Sequence, residues 1–222
     1  MCLLKMMMRH AFSAMLIGGT LAGQAYAAAL ANHIIDKNGQ PVLDAVIFAT
    51  PLDVPVPAAK TSETVTVAQE KTTFVPYVTV IRMGTSVRFP NHDSYDHHVK
   101  SLSPAKTFEA RIDAKKAGPK PITFNKVGEV ALVCFFHDSM RGFIYVVDTP
   151  YFAKTDKSGN AVLTDLPPGR YEVNAWAPSM IGQPLQKTVN VLADGFTNTE
   201  FQFDFIPKPA PKPFVPTTPP TY

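Results

Sequence analysis

Val133-Cys-Phe-Phe-His-Asp-Ser-Met-Arg-Gly142 is the stretch that decides the reading of this chain. It sets a thiol, an imidazole and a thioether at Cys134, His137 and Met140, three residues apart each time, between Val130-Ala-Leu-Val133 and Phe143-Ile-Tyr-Val-Val147. Runs rich in β-branched and aromatic residues read as strands, so three soft donors sit on one short loop between two strands. Thiolate and thioether favour copper(I), and imidazole suits both oxidation states of copper.

A second imidazole would complete that set. The sequence offers one upstream in Phe89-Pro-Asn-His-Asp-Ser-Tyr-Asp-His-His-Val99, at His97 or at His98. Two imidazoles, one thiolate and a weak axial thioether are the donors of blue copper electron-transfer centres.

Cysteine usage points the same way. The first 27 residues read as a signal peptide: Lys5 and Arg9 make a basic start, Ala11 to Gly23 an apolar core, and Ala25-Tyr-Ala27 a small-x-small cleavage site. The apolar run is shorter than the ~20 residues of a spanning helix, so no stable membrane insertion is expected after cleavage. Of the two cysteines in the chain, Cys2 lies in that leader, which leaves Cys134 alone. A single cysteine in an exported chain builds no disulfide framework; it is a buried inert thiol, an intermolecular partner or a ligand, and His137 and Met140 beside it favour the ligand. The net charge of +3 falls to about +1 without Lys5 and Arg9, too little to steer the protein toward nucleic acid. The expected location is periplasmic or secreted.

Outward from the loop, strand signals recur with turns marked by Gly, Pro, Asn and Asp every ten or so residues, and helical periodicity is almost absent. The fold class is therefore all-β. Residues 28–52 hold a hairpin, His33-Ile-Ile-Asp36 and Ala45-Val-Ile-Phe-Ala-Thr50 around the turn Lys37-Asn-Gly-Gln40, and Leu52–Pro57 reads as a linker. Residues 64–148 carry seven or eight strands, Phe74–Ile81 among them, the content of a small Greek-key sandwich. Residues 150–206 add five short strands and read as a second small β-sandwich. Residues 207–222, with Pro at nearly every second position, read as an extended, disordered Pro-rich tail without a core.

Residues 64–148 resemble the cupredoxins, plastocyanin and amicyanin among them. The resemblance rests on Phe89-Pro-Asn91, a His six residues after Asn91, and Cys134-x-x-His137-x-x-Met140, whose short second gap is similar to amicyanin's loop. It implies one copper ion cycling between Cu(I) and Cu(II), held by His97, Cys134, His137 and Met140. It also places His98 where the family has an Asn that braces the two ligand loops. Phe136 stands where the family commonly has Pro, and Asp138 adds a carboxylate within the loop.

The outer parts resemble the regulatory-type β-sandwich found beside carboxypeptidases. Its opening unit is matched by Asp36-Lys-Asn-Gly-Gln-Pro41 with Ala45-Val46, and its later half by Thr155-Asp-Lys-Ser-Gly159 and Leu166-Pro-Pro-Gly-Arg-Tyr-Glu-Val173. The two halves, 28–52 and 150–206, would form one discontinuous sandwich into which the cupredoxin unit is inserted. The whole arrangement is similar to exported plastocyanin-like proteins, some described as methylamine-utilisation proteins.

The expected function is one-electron transfer between larger redox proteins. A copper carrier or sensor without redox turnover, and a structural or adhesive envelope protein, stay open beside it. No Ser-His-Asp arrangement, phosphate-binding Gly loop or paired carboxylates argue for an enzyme. His33 and His92 are assigned no function.

Overall fold

A computed structural model of the chain describes residues 28–58, 63–193 and 195–214. The expected signal peptide and the end of the tail, residues 215–222, lie outside the described residues. The first two strands are β1 (Ala28–Ile35) and β2 (Val46–Pro51). The middle of the chain supplies β3 (Thr64–Thr66), β4 (Ala68–Glu70), β5 (Thr73–Val75), β6 (Val78–Arg82), β7 (Ser86–Arg88), β8 (His97–Ser103), β9 (Lys106–Ile112), β10 (Ile122–Thr123), β11 (Gly128–Cys134) and β12 (Arg141–Val147). Then follow β13 (Tyr151–Lys154), β14 (Asn160–Leu166), β15 (Gly169–Trp176), β16 (Leu185–Val191) and β17 (Phe196–Gln202). The described residues contain no helix, and the protein is all-β.

The expected hairpin does not form, because β1 and β2 enter different sheets and their sheet neighbours lie beyond residue 150. β1 is the middle strand of β14-β1-β17, with Ile34 opposite Phe201, and β2 lies between β13 and β15 in β13-β2-β15-β16, with Val46 opposite Lys154 and Trp176. Two similar turns join the halves. Asp36 Oδ1 accepts the N–H groups of Asn38 and Gln40, and Asp156 Oδ1 those of Ser158 and Asn160, the local capture of backbone donors that makes Asp a turn residue. Between the turns Ile34 N–H donates to Gly159 O at 2.8 Å. A Cβ on residue 159 would lie 2.5 Å from Ile34 O, and φ there is +74°, so only glycine allows this approach. Leu30, Ile34, Ile47, Leu163, Tyr171, Val173, Phe201 and Phe203 are the buried core between these two sheets.

The middle of the chain forms a separate core. The five-stranded sheet β6-β12-β11-β8-β9 packs over β10-β7-β3, with Val99, Val130, Leu132, Ile144 and Val146 from the first meeting Val87, Phe89 and Phe124 near the second. Strand alternation decides which side chains enter this core. In β11 Val130, Leu132 and Cys134 are buried and in β8 His97, Val99 and Ser101 are buried. The expected continuous strand Phe74–Ile81 is interrupted: Pro76 has no N–H to offer a ladder, and the chain divides there into β5 and β6.

Two further features set how the parts meet. Tyr145 and Val147 of β12 and Val78 of β6 pack on Val46 and Trp176 of the β13-β2-β15-β16 sheet. The first eight residues of the expected disordered tail are fixed on the surface of the protein. Tyr77 Oη donates to Lys208 O, Phe214 N–H donates to Lys71 O at 2.8 Å, and the Thr72 hydroxyl donates to Phe214 O at 2.6 Å. On the tail's side every one of these anchors is a backbone group, which composition does not signal.

Candidate metal centre

Cys134 ends β11, two residues on from buried Leu132 and therefore on the core side. Beyond it the chain turns at once. Met140 N–H donates to His137 O at 2.9 Å and Cys134 N–H to Met140 O at 3.1 Å, which closes the loop on itself before β12 begins. Phe135 N–H donates to His98 O at 2.9 Å and ties the loop to β8. The three-residue spacings of Cys134, His137 and Met140 thus point their side chains inward from a closed turn rather than from an open loop.

His97 opens β8 and is fully buried (0% exposed), whereas His98 faces the opposite side of the strand. This alternation puts His97, and not His98, on the core side of the strand. His97 Nδ1 lies 3.6 Å from Cys134 Sγ, and His137 Nδ1 lies 3.5 Å from the same sulfur. The three donor atoms lie within 4.8 Å of one another. A metal held at ~2.3 Å from sulfur and ~2.0 Å from nitrogen, with bond angles of 109–120°, requires an S to N separation of about 3.5–3.7 Å. The donors are therefore spaced to share one ion. Met140 is fully buried in the same core cluster as Cys134, so the structure contains a His-Cys-His-Met cluster.

What holds His97 is the part the sequence reading missed. Asp93 Oδ2 lies 2.9 Å from His97 Nε2 and also accepts the Thr72 N–H at 3.0 Å, while Oδ1 accepts the Lys71 N–H at 2.7 Å. Burial by itself would raise the Asp93 pKa, but the Thr72 N–H, the His97 ring and the Lys71 N–H outweigh it and hold the carboxyl below its ordinary value. An ionised Asp93 accepts, so Nε2 of His97 carries the proton and Nδ1 presents its lone pair toward Cys134. Asn91, 1% exposed, shapes the loop that delivers Asp93. Its amide donates to Tyr95 O and Ile112 O, and its Oδ1 accepts the Asp93 N–H at 2.9 Å. The sequence signal was present: a carboxylate four residues before a candidate ligand is the outer partner that metal-bound imidazoles ordinarily have.

Tyr95 covers the two imidazoles, its ring centroid 5.4 Å from His97 and 5.5 Å from His137, whose own rings are 5.0 Å apart. Burial pushes the Cys134 thiol up, pushes His97 down against the opposing pull of Asp93, and pushes His137 down, where competition with a proton on His97 adds to burial and Asp93 opposes it. His98 lies against Phe135 and Phe136, with ring centroids 5.8 and 5.7 Å away, and braces the ligand loop from outside by ring contact and by its carbonyl. Asp138 points to solvent. His33 pairs with Asn160 and His92 with Glu70, both outside the cluster.

Fold and donor set together define an all-β protein with a cysteine-centred cluster of candidate metal donors of His-Cys-His-Met type. The chain is similar to solved amicyanins and other cupredoxins. Amicyanin from Paracoccus versutus (Thiobacillus versutus) is 24% identical over 46% of this chain and 97% of its own, with a TM-score of 0.35. A purple cupredoxin from Nitrosopumilus maritimus is 20% identical over 39% of this chain and 100% of its own, TM-score 0.32. A copper-containing nitrite reductase from Thermus scotoductus is 28% identical over 44% of this chain but only 25% of its own, TM-score 0.34. No protein-family model and no curated protein matches the chain. Among the described residues, no helix is long and apolar enough to cross a membrane.

Proposed function

We propose that this protein is an exported copper protein that passes single electrons between redox proteins, with His97, Cys134, His137 and Met140 as ligands of one copper ion. The observation that carries the reading is the convergence of His97 Nδ1 and His137 Nδ1 on Cys134 Sγ at 3.6 and 3.5 Å inside the core. Copper would supply the one-electron couple. The chain supplies everything else. Asp93 fixes the His97 tautomer, the closed turn from Cys134 to Met140 fixes the loop donors, and β8 and β11 hold the two halves of the site at adjacent ladder positions, Cys134 opposite Val99. Donors held this firmly before metal arrives change little between oxidation states, the condition for fast exchange. Four protein donors leave no position for substrate, so the reading is a carrier and not an enzyme.

The electron would leave through His137, half-buried between the core and the loop surface, and Phe135 beside it is 71% exposed. An exposed aromatic next to a ligand suits a redox partner that docks briefly on an apolar face. The signal peptide expected over residues 1–27 supports an exchange in the periplasm or outside the cell.

The test is the visible absorption spectrum of residues 28–222 loaded with copper(II), beside a Cys134→Ser variant. An intense blue thiolate-to-copper band in the first and its loss in the second are expected. Copper bound without that band would turn the reading to a carrier or sensor, and no binding at all would leave a structural protein.

A further inference from the structure

The tail leaves β17 through Phe203 and crosses the molecule. Pro207, Pro209, Pro211 and Pro213 hold it extended and leave it few N–H groups to donate. Pro207 and Pro211 are half-buried and their neighbours exposed, so the segment lies on the surface as a strap. At Phe214 it meets the turn between β4 and β5, where Phe214 N–H and C=O meet Lys71 O and the Thr72 hydroxyl. Lys71 and Thr72 both have positive φ, 51° and 60°, a conformation costly for side-chain-bearing residues and kept only where surroundings hold it. The N–H groups of these same two residues are the ones that grip Asp93.

The hydrogen bonds run in one direction. Phe214 C=O can only accept, so Thr72 donates its single hydroxyl proton there, and Thr72 Oγ1, 2.9 Å from Tyr95 Oη, must accept from Tyr95. Tyr95 is thereby turned toward Thr72. Asp93 also faces the Tyr95 hydroxyl, adding to burial in holding that phenol above its ordinary pKa. Without Phe214 the Thr72 proton can turn to Tyr95, and the Tyr95 proton can then turn to Asp93, where it competes with His97.

We propose that residues 207–214 are a releasable clamp on the metal centre: while the strap is seated, the Lys71–Thr72 turn is fixed and Asp93 is committed to His97 Nε2, and when it lifts, His97 loosens and metal binding weakens. The strap is mostly exposed and held by few bonds, which puts it among the segments that open most easily. The inference rests on the copper reading above for its second readout only.

The experiment compares residues 28–222 with the same chain ending at Ile206 and with full-length Thr72→Val, which keeps the strap but not its hydroxyl link. Amide hydrogen exchange is measured on the metal-free proteins, with the His97 Nε2 proton observed by nitrogen-15 NMR, and cobalt(II) affinity by competition with a chelating dye. Both variants are expected to exchange the amides of residues 71 and 72 at least tenfold faster, to weaken the His97 Nε2 proton signal, and to bind cobalt(II) about tenfold more weakly, the lower end of what losing an outer partner of a ligand does. Amides of β15 should keep their protection in both. If truncation also unprotects β1 and β17, Thr72→Val alone decides. Unchanged exchange at residues 71 and 72 with unchanged affinity overturns the clamp. A full-length chain that binds no metal overturns the copper reading instead, and the clamp then stands or falls on the amide and His97 signals.

Discussion

Replacing Tyr145 by Ala tests whether the metal-bearing core and the sheets around it behave as one body. Tyr145 lies on β12, paired to Glu129 of β11 and Val80 of β6, yet its ring faces away from the donor cluster. It is 6% exposed, and its centroid stands 4.8 Å from Trp176 and 5.6 Å from Phe48, both on the β13-β2-β15-β16 sheet. Burial is deep enough to push the Tyr145 phenol up to about 12, with Glu129 adding to it. Truncating a buried aromatic to Ala costs about 3–5 kcal/mol, of which roughly 0.5–1.5 kcal/mol per ring pair is lost aromatic contact. For a chain of this length each kcal/mol lowers Tm by about 2–4 °C, so a fall of about 6 °C or more is expected.

The position of the loss matters more than its size. Tyr145 is one of few side chains shared between the middle core and the outer sheets, so its removal should uncouple them. The chain has one tryptophan, Trp176, 2% exposed and in contact with Tyr145 and Phe143, so its fluorescence reports this junction alone. The parent chain should melt with coincident transitions by Trp176 emission and by far-ultraviolet circular dichroism. In Tyr145→Ala the emission should shift to the red in the folded state, and its transition should precede the dichroism transition by several degrees. An unshifted emission spectrum with a stability loss under about 1 kcal/mol, the scale of a surface substitution, would refute a packed junction.

Two further outcomes follow from the geometry. Because burial raises the Cys134 thiol above its ordinary value and lowers both His97 and His137, the metal-free site at pH 7 holds one removable proton, on sulfur. Cobalt(II) binding should therefore release about one proton and tighten about tenfold per pH unit from pH 7 up to the raised thiol pKa, and the dependence should steepen at acid pH, beneath the ordinary imidazole range, where the lowered imidazoles also take up protons; calorimetry in buffers of different ionisation enthalpy measures the count, and release of none or of two at pH 7 would contradict the burial argument. Gly142→Ala would place a Cβ 2.9 Å from Phe74 Cβ and 3.2 Å from Tyr77 O just after the Cys134–Met140 turn, an overpacking cost of about 1–3 kcal/mol in urea denaturation, and a neutral result would mean that β5 can give way.

Legibility in the sequence tracked locality. The strand content was readable because Val130, Leu132 and Cys134, or His97, Val99 and Ser101, alternate with outward residues inside one strand, and alternation is a local property. Cys134, His137 and Met140 were readable because one closed turn carries all three. Choosing between His97 and His98 was another matter. Both are polar neighbours, and only the ladder that sets Cys134 opposite Val99 and His97 opposite Ile112 decides which one faces the sulfur. Asp93 was harder still, since its two N–H donors come from Lys71 and Thr72, 22 and 21 residues earlier, through backbone groups that every residue type possesses. The tail escaped for the same reason: its proline content describes stiffness and says nothing of the carbonyl at Phe214. What the sequence spells out is therefore the chemistry of the candidate donors, and what it leaves silent is the backbone that aims them. On the proposed clamp, this candidate centre weakens with all four donors intact when a change frees the turn between β4 and β5 and loosens His97 from Asp93.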